Sequence, residues 1–224
     1  MLTTISQLLN TEQLDQARSI LNKAHFINGK MSAGMKAEQV KNNEELAAGD
    51  PAINSLNQII MNTLVKHPVY LNAALPHRIA SPFYARYTQG MHYGFHVDDP
   101  VMGPVGQRYR TDVSITVFIN NPEDYDGGEI EIRTSFGQRK IKLAAGDAVI
   151  YPSSSLHQVT EVTRGERLVA VTWVQSMIRD PAQREILYEL GIVREKMLRE
   201  DPDSEETARI DISYVNLLRM WSEV

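Results

Sequence analysis

The chain has 224 residues, of which 42% are hydrophobic and 23% charged, and it contains no cysteine. This composition allows one substantial hydrophobic core and excludes disulfides, a thiolate nucleophile and a thiolate metal site. The formal net charge of −5, without a basic run, argues against nucleic-acid binding. No apolar run reaches about 20 residues and the N-terminus lacks signal-peptide features, so we expect a cytoplasmic location and no membrane association.

The first part of the chain, residues 1–74, is predicted to be a helical support region packed on the core. Apolar residues recur at helical spacing over 11–24, after a capping residue at Asn10 or Thr11. A second helix is expected over about 51–66, because a proline there suits the first turn of a helix. The polar stretch between the two helices is interpreted as irregular or only partly helical.

The middle part, residues 75–177, changes to strand periodicity and is predicted to form a jelly-roll domain. In "TDVSITVFIN" the residues Val113, Ile115, Val117 and Ile119 share one face of a strand, with Thr116 and Phe118 on the other. A hairpin is expected over 129–143, followed by the strands "GDAVIYP", "HQVTEV" and "RLVAVTWVQS". Short strands separated by close turns are typical of a sandwich or jelly-roll barrel.

The last part, residues 178–224, returns to helical spacing. Asp180 and Pro181 are a cap and a first-turn proline, and a second helix is expected to reach Trp221. Such apolar helices must pack on the barrel or on another subunit, so contact between copies of the chain is one expectation. The predicted fold class is therefore α+β, mainly β, with a jelly-roll core and flanking helices at both ends.

Candidate metal ligands occur in "HYGFHVDD", residues 92–99. Residues two apart on an extended chain share a face, so His96 and Asp98 are predicted to point together and Asp99 the opposite way. His92 could share that face but has no carboxylate at the second position after it. A His-x-Asp pair alone is a weak signal, since a surface pair or a hydrogen-bonded turn explains it equally well.

Two later residues strengthen the signal. His157 follows a strand and a proline-bearing loop, where it can enter the mouth of a barrel, and Arg167 opens an apolar strand. Two histidines and one carboxylate form the facial triad suited to Fe(II), and a buried arginine can clamp a carboxylate through two hydrogen bonds. Together they point to Fe(II) chelated by 2-oxoglutarate. Taken alone, a histidine such as His157 is more often structural. Taken alone, an arginine such as Arg167 more often forms an internal salt bridge or extends its charged end to solvent.

With these residues in this order, the sequence resembles the Fe(II)/2-oxoglutarate-dependent dioxygenases of the prolyl-hydroxylase type, and more narrowly the bacterial PKHD-type hydroxylases, some of which carry an iron-uptake-factor label. Nearly the whole chain takes part in the resemblance. The segments that carry it are "GKMSAGMKAEQVKNN", "RYTQGMHYGFHVDDP", "FINNPEDYDGGEIEI", "GDAVIYPSSSLHQVTEVTRGERLVAVTWVQS" and the helical tail.

The resemblance implies a double-stranded β-helix core with His96, Asp98 and His157 as iron ligands and Arg167 as the 2-oxoglutarate clamp. Tyr87 matches a tyrosine whose hydroxyl contacts 2-oxoglutarate in related enzymes, although a packed core aromatic is an equal alternative. The chain departs from some relatives in one respect. They place a tyrosine near the position of Phe118 to contact the cosubstrate carboxylate, and phenylalanine has no hydroxyl to offer.

The implied reaction converts 2-oxoglutarate and O2 to succinate and CO2 and hydroxylates a substrate C–H bond, without a general base. The implied cofactors are Fe(II), 2-oxoglutarate as cosubstrate and L-ascorbate as reductant. The substrate, a small molecule or a peptide, is not specified by the sequence. Two alternatives stay open at this point: a cupin-like metalloenzyme that uses no 2-oxo acid, and a non-catalytic sensor that binds a metal or ligand.

Overall fold

The computed structural model describes residues 1–32, 34 and 37–223, so part of the motif at 29–43 and the last residue lie outside the described residues. The α-helices of the described part are α1 (Thr11–Leu21), α2 (Ala52–Leu64), α3 (Pro68–Ala74), α4 (Pro181–Glu200) and α5 (Glu205–Trp221). The predicted caps are confirmed, since the Asn10 side chain accepts from the Gln13 amide and Asp180 from two amides of the first turn of α4. None of the described helices has the length and apolar character needed to cross a bilayer.

Short strands make up the rest of the regular structure. In the described residues they are β1 (Thr3–Ile5), β2 (Phe26–Asn28), β3 (Lys41–Asn42), β4 (Glu44–Leu46), β5 (Pro76–Ile79), β6 (Phe83–Tyr87), β7 (His92–His96), β8 (Val101–Met102), β9 (Tyr109–Arg110), β10 (Val113–Phe118), β11 (Tyr125–Gly127), β12 (Ile130–Thr134), β13 (Gly137–Ile141), β14 (Ala148–Pro152), β15 (His157–Val159), β16 (Val162–Gly165) and β17 (Arg167–Ser176).

Two antiparallel sheets form the core. The larger sheet has the order β1-β14-β10-β17-β6-β4-β2, with β5 also paired to β17. The smaller sheet has the order β13-β12-β15-β7-β3, and β8-β9 and β11-β16 form two-stranded ladders. Consecutive neighbours such as β14, β10 and β17 are far apart in sequence, as expected when one chain winds between two sheets of a double-stranded β-helix. The predicted fold class is confirmed.

Strand β10 shows how the two faces of the larger sheet are used. Val113, Ile115 and Val117 pack with Leu56 and Ile60 of helix α2 in one cluster outside the barrel. Phe118 belongs to a second cluster with residues of both sheets, inside the barrel. The alternation predicted from the sequence is therefore correct. The structure adds that the aliphatic face lies against the helices, which leaves the other face of the strand for the barrel interior.

The segment between α1 and α2 is more ordered than its sequence pattern predicts. The described residues of 28–46 contain β3, β4 and two short 3₁₀ turns, so the interpretation of this stretch as irregular or partly helical is wrong for the two strands. These strands have only two or three residues and are rich in lysine, asparagine and glutamate, which are depleted in strands. Pairing with β6 and β7, distant in sequence, makes them strands. The predicted domain boundaries at residues 74 and 177 stay predictions.

The C-terminal helices pack on their own chain. Leu187 of α4 and Tyr214 of α5 form a small cluster with Leu75 and Ile178. The side chain of Arg184, a residue of α4, is buried. Its guanidinium donates a hydrogen bond to the Ile178 carbonyl at 2.6 Å, which ties the helix to the segment that follows β17. Apolar side chains such as Ile212 and Met220 remain exposed on this helix pair. A contact between copies of the chain through these helices stays a prediction.

Candidate active site

The two predicted histidines form a direct cross-strand pair in the smaller sheet. His96 ends β7 and lies opposite His157, which begins β15. Both are buried, and their rings approach with centroids 4.3 Å apart. Each Nδ1 lies against a backbone carbonyl, at 2.8 Å from Gly94 O and 2.9 Å from Ser155 O. A carbonyl only accepts, so each neutral ring carries its proton on Nδ1 and keeps the Nε2 lone pair free.

Asp98 completes the cluster two residues after β7. Its Oδ1 atom lies 3.7 Å from His96 Nε2 and 3.8 Å from His157 Nε2. These separations are too long for hydrogen bonds, and the three ligand atoms all lie within 4.8 Å of one another. The predicted orientation of Asp98 toward the face of His96 is confirmed. Three atoms with free lone pairs converging in this way can share one cation.

The electrostatic surroundings keep His96 uncharged. Burial, together with the neighbouring His157, lowers the pKa of His96 to about 4. A histidine must be neutral to bind a metal through nitrogen, and His96 therefore carries the required form at neutral pH. Tyr93 stacks on the His96 ring with centroids 3.6 Å apart, which holds the imidazole in its orientation.

Supporting residues that the sequence pattern did not reveal hold the carboxylate. Asp98 Oδ2 accepts a hydrogen bond from Trp173 Nε1 at 2.9 Å and another from the Ser114 hydroxyl. Ser114 in turn lies 2.7 Å from the hydroxyl of Ser153. Because Oδ2 is occupied, Oδ1 is the oxygen presented to both histidines. Strand alternation places Ser114 on the same face as Thr116. No local sequence signal links Ser114 to Asp98, 16 residues away, or Trp173 to Asp98, 75 residues away.

We expect Trp173→Phe to lower the affinity for divalent metal by about 10- to 100-fold, since it removes a hydrogen bond that orients the carboxylate while keeping an aromatic ring. Metal titration of the purified variant measures the effect. Trp221→Phe, in helix α5, is the matched control and should bind metal like the wild type. Equal affinities for all three proteins would show that the indole contact does not orient Asp98.

Arg167 belongs to the larger sheet, whereas the two histidines belong to the smaller one. It is 1% exposed and faces Tyr87 across the β17–β6 pair. Its guanidinium carbon lies 4.9 Å from the Tyr87 ring centroid and 5.7 Å from that of Phe118. Atoms Nε and Nη1 are buried without a hydrogen-bond partner, and Arg167 forms no salt bridge with the described residues. Among the described residues, Arg167 therefore shows neither of the two structural alternatives, an internal ion pair or a side chain reaching solvent.

Tyr87 is buried beside this unpaired cation. Its exposed fraction is 4%, and burial raises its pKa to about 12 against the lowering effect of Arg167. The phenol is therefore protonated at neutral pH and able to donate a hydrogen bond.

One cavity is lined by residues of both sheets. Its lining includes the cluster His96, Asp98 and His157, together with Arg167 and Tyr87. Residues of the unpredicted strands β3 and β4 line it as well, on the side of Tyr93. Asp99 lies at the lining but outside the cluster, and His92 is outside both, with Nδ1 3.4 Å from the Gly90 carbonyl. The five residues singled out from the sequence thus share one cavity.

Comparison with known proteins gives two family matches. Residues 82–175 match the 2OG-Fe(II) oxygenase superfamily, and residues 181–223 match the PKHD-type hydroxylase C-terminal domain. A PKHD-type hydroxylase from Thioalkalivibrio sulfidiphilus is 53% identical over 224 residues, covering 100% of both chains. A PKHD-type hydroxylase from Aliarcobacter butzleri is 42% identical over 226 residues, again covering 100% of both.

Solved structures agree in fold. A prolyl-4-hydroxylase from Pseudomonas putida matches with a TM-score of 0.54 and 17% identity, covering 78% of this chain and 92% of the other. A prolyl hydroxylase from Trichoplax adhaerens, solved with a hypoxia inducible factor peptide fragment, matches with a TM-score of 0.56 and 15% identity, covering 84% and 86%. At these identities the likeness concerns the fold alone.

Proposed function

This chain belongs to the PKHD-type hydroxylase family, with a 2OG-Fe(II) oxygenase domain, and we propose that it hydroxylates its substrate with Fe(II) held by His96, Asp98 and His157 and 2-oxoglutarate held by Arg167. The observation that carries the proposal is a single cavity that is lined both by an unpaired cation and by three converging ligand atoms. Family membership implies Fe(II) and 2-oxoglutarate as the cofactors.

The residues present suit the metal. Two neutral imidazoles and one carboxylate are the donor set that non-haem Fe(II) oxygenases use, and such a set leaves coordination positions for other ligands. Each donor atom is already fixed by a hydrogen bond on the far side of its own group, from Nδ1 in the histidines and from Oδ2 in Asp98. Such outer contacts raise metal affinity because the ligands need no reorganisation on binding.

The residues present also suit the cosubstrate. A buried guanidinium without a partner is costly, and an anionic group entering the cavity would satisfy it. Its planar fork of N–H donors matches a carboxylate in a bidentate pair. The ring of Tyr87 covers one face of the guanidinium, and its protonated hydroxyl is a further donor on that wall. A dicarboxylic acid can therefore place one carboxylate at Arg167 and extend toward the histidines.

The chemistry that Fe(II) and 2-oxoglutarate supply when bound is oxidative decarboxylation by O2 to succinate and CO2, with one oxygen atom entering a substrate C–H bond. The chain's own residues bind, orient and exclude water. His96, Asp98 and His157 hold the metal, Arg167 sets the direction of the cosubstrate, and buried residues such as Phe118 and Tyr151 keep the interior dry. No side chain is assigned as a general base.

The proposal extends to the reductant, the biological role, the location and the substrate. L-ascorbate as a reductant, a link to iron uptake and a cytoplasmic location follow from the family resemblance or the composition. The substrate is proposed to be a small molecule or a peptide. An unpaired buried arginine in the same cavity as the candidate metal ligands has no purpose in a cupin-like enzyme without a 2-oxo acid, so that alternative is less favoured.

The direct test combines turnover with binding. Purified protein with Fe(II) and O2 should release succinate from 2-oxoglutarate, and a chelator should stop the reaction. Anaerobic addition of Fe(II) and then 2-oxoglutarate should produce a weak visible absorption band that neither component gives alone. Metal binding without the band and without succinate would overturn the proposal in favour of a metal sensor.

A further inference from the structure

The inward face of β17 becomes more exposed toward the candidate metal site. Alternation places Arg167, Val169, Val171 and Trp173 on this face. Arg167 and Val169 are each 1% exposed, whereas Val171 and Trp173 are partly exposed. The indole of Trp173 is hydrogen-bonded to Asp98, so the exposed part of the strand is the part beside the candidate ligands. A substrate that reaches the metal from solvent therefore passes Val171 and Trp173.

Apolar side chains surround this exposed part of the cavity. Phe83, on the neighbouring strand β6, is 37% exposed and lies edge-on to Trp173, with ring centroids 5.5 Å apart. Val97, which stands between two of the candidate ligands in the sequence, is 48% exposed. Both residues line the cavity, as do Met102 and Val171. We call these five residues the apolar rim. Exposed apolar side chains that gather at a cavity are typical of a ligand-binding site.

The charged side chains on another wall of the cavity already have partners. Lys41 and Glu45 line the cavity and are 5% and 8% exposed. Lys41 Nζ lies 2.5 Å from Glu45 Oε1 and donates to the Ser32 hydroxyl at 2.8 Å. This ion pair needs no charge from a substrate. The apolar rim, in contrast, gains free energy when a hydrocarbon group displaces water from it.

We propose that Phe83 and Val97 bind a hydrocarbon group of the substrate, which places the C–H bonds of that group beside the candidate metal site. The inference rests on the proposed function, since it names the substrate class of the same site. An apolar residue of a peptide and an apolar small molecule share this chemistry, and the probes used below separate the two sources. A cationic substrate attracted by Asp99, which also lines the cavity, is the competing outcome.

The first experiment measures binding without turnover. The chain has two tryptophans, so Trp173 is the only one left in Trp221→Phe, and its fluorescence reports the surroundings of the rim. This protein is titrated in the absence of O2, with and without Fe(II) and 2-oxoglutarate. One probe series consists of N-acetylated amino-acid N-methylamides, and the other of pentapeptides with two glycines on either side of the tested residue. The tested residues are leucine, proline, phenylalanine, serine, aspartate and lysine.

Apolar probes should move the emission of Trp173 to shorter wavelength, because a bound hydrocarbon group displaces water from the indole. They should do so at concentrations about 10-fold lower than the serine, aspartate and lysine probes require. Binding of the capped amino acids indicates a small molecule, and binding of the pentapeptides alone indicates a peptide. Preference for the lysine probes, equal binding of all probes, or no shift with any probe overturns the proposal.

The second experiment substitutes Phe83 in the same Trp221→Phe background. Leucine and asparagine are close in shape and differ in polarity. Phe83→Asn should raise the concentration of the accepted probe needed for half-saturation by about 10- to 100-fold, whereas Phe83→Leu should stay within about fivefold of the parent. Val97→Thr, which keeps the shape and adds a hydroxyl, should weaken binding as well. Equal losses in Phe83→Asn and Phe83→Leu would show that the ring only supports Trp173, which overturns the proposal.

A control and a second readout separate this inference from the proposed function. Phe136→Asn changes an exposed phenylalanine that does not line the cavity, so it should bind the probe like the parent. The anaerobic absorption band reports 2-oxoglutarate binding. Absence of the band together with a preserved Trp173 shift would reject the proposed function and leave the apolar site standing. A normal band without a Trp173 shift overturns the inference alone. Thermal unfolding of each variant verifies that it is folded.

Discussion

Asp98→Ala is expected to abolish metal-dependent 2-oxoglutarate turnover and to lower metal affinity by more than about 100-fold. Removing a residue that only orients a metal ligand lowers metal affinity by about 10- to 100-fold. Asp98 is proposed as a ligand itself, so its removal should lower the affinity further. The substitution also leaves Trp173 Nε1 and the Ser114 hydroxyl without their acceptor. Metal titration and succinate release measure the two effects.

The neighbouring carboxylate is the control for this substitution. Asp99 lies at the cavity lining but outside the cluster of three, so Asp99→Ala should keep metal affinity within about tenfold of the wild type. If the two alanine variants lost metal to the same extent, the loss would reflect the net negative charge of the region and Asp98 would have no specific role. Circular dichroism of both variants verifies the fold.

Arg167→Ala is expected to raise the 2-oxoglutarate concentration needed for half-saturation by about 100-fold and to leave metal affinity nearly unchanged. Hydrogen bonds to charged groups contribute about 1.5–3 kcal/mol each, and a factor of 100 corresponds to about 2.7 kcal/mol. The cation and the metal ligands come from different sheets, so one can be removed without disturbing the other. The anaerobic absorption band and metal titration provide the two affinities.

Two further variants sharpen this prediction. Arg167→Lys keeps the charge but loses the bidentate fork, so it should fall between the wild type and the alanine variant. Arg139→Ala removes an exposed arginine of β13 that does not line the cavity, so this variant should behave as the wild type. If Arg167→Ala lowered the affinities for metal and for 2-oxoglutarate to the same extent, the arginine would stabilise the barrel and would not bind the cosubstrate.

The sequence by itself determined the elements whose signals are local. Period-two alternation predicted β10 and its two faces, and capping residues predicted the starts of α1 and α4. The spacing of His96 and Asp98 predicted that they point together. The order of these residues with His157 and Arg167 was enough to indicate a 2-oxoglutarate-dependent oxygenase. These signals suffice because they depend on residue order and on backbone geometry within a few residues.

Only the tertiary structure decided the rest. Strands β3 and β4 are polar and very short, so no local pattern distinguishes them from a loop, and pairing with distant strands makes them part of the cavity. The same holds for Trp173, whose contact with Asp98 joins residues 75 positions apart. Whether Arg167 is paired depends on which carboxylates the fold places near it. Burial and long-range pairing set these properties, and neither is encoded in a short window of sequence.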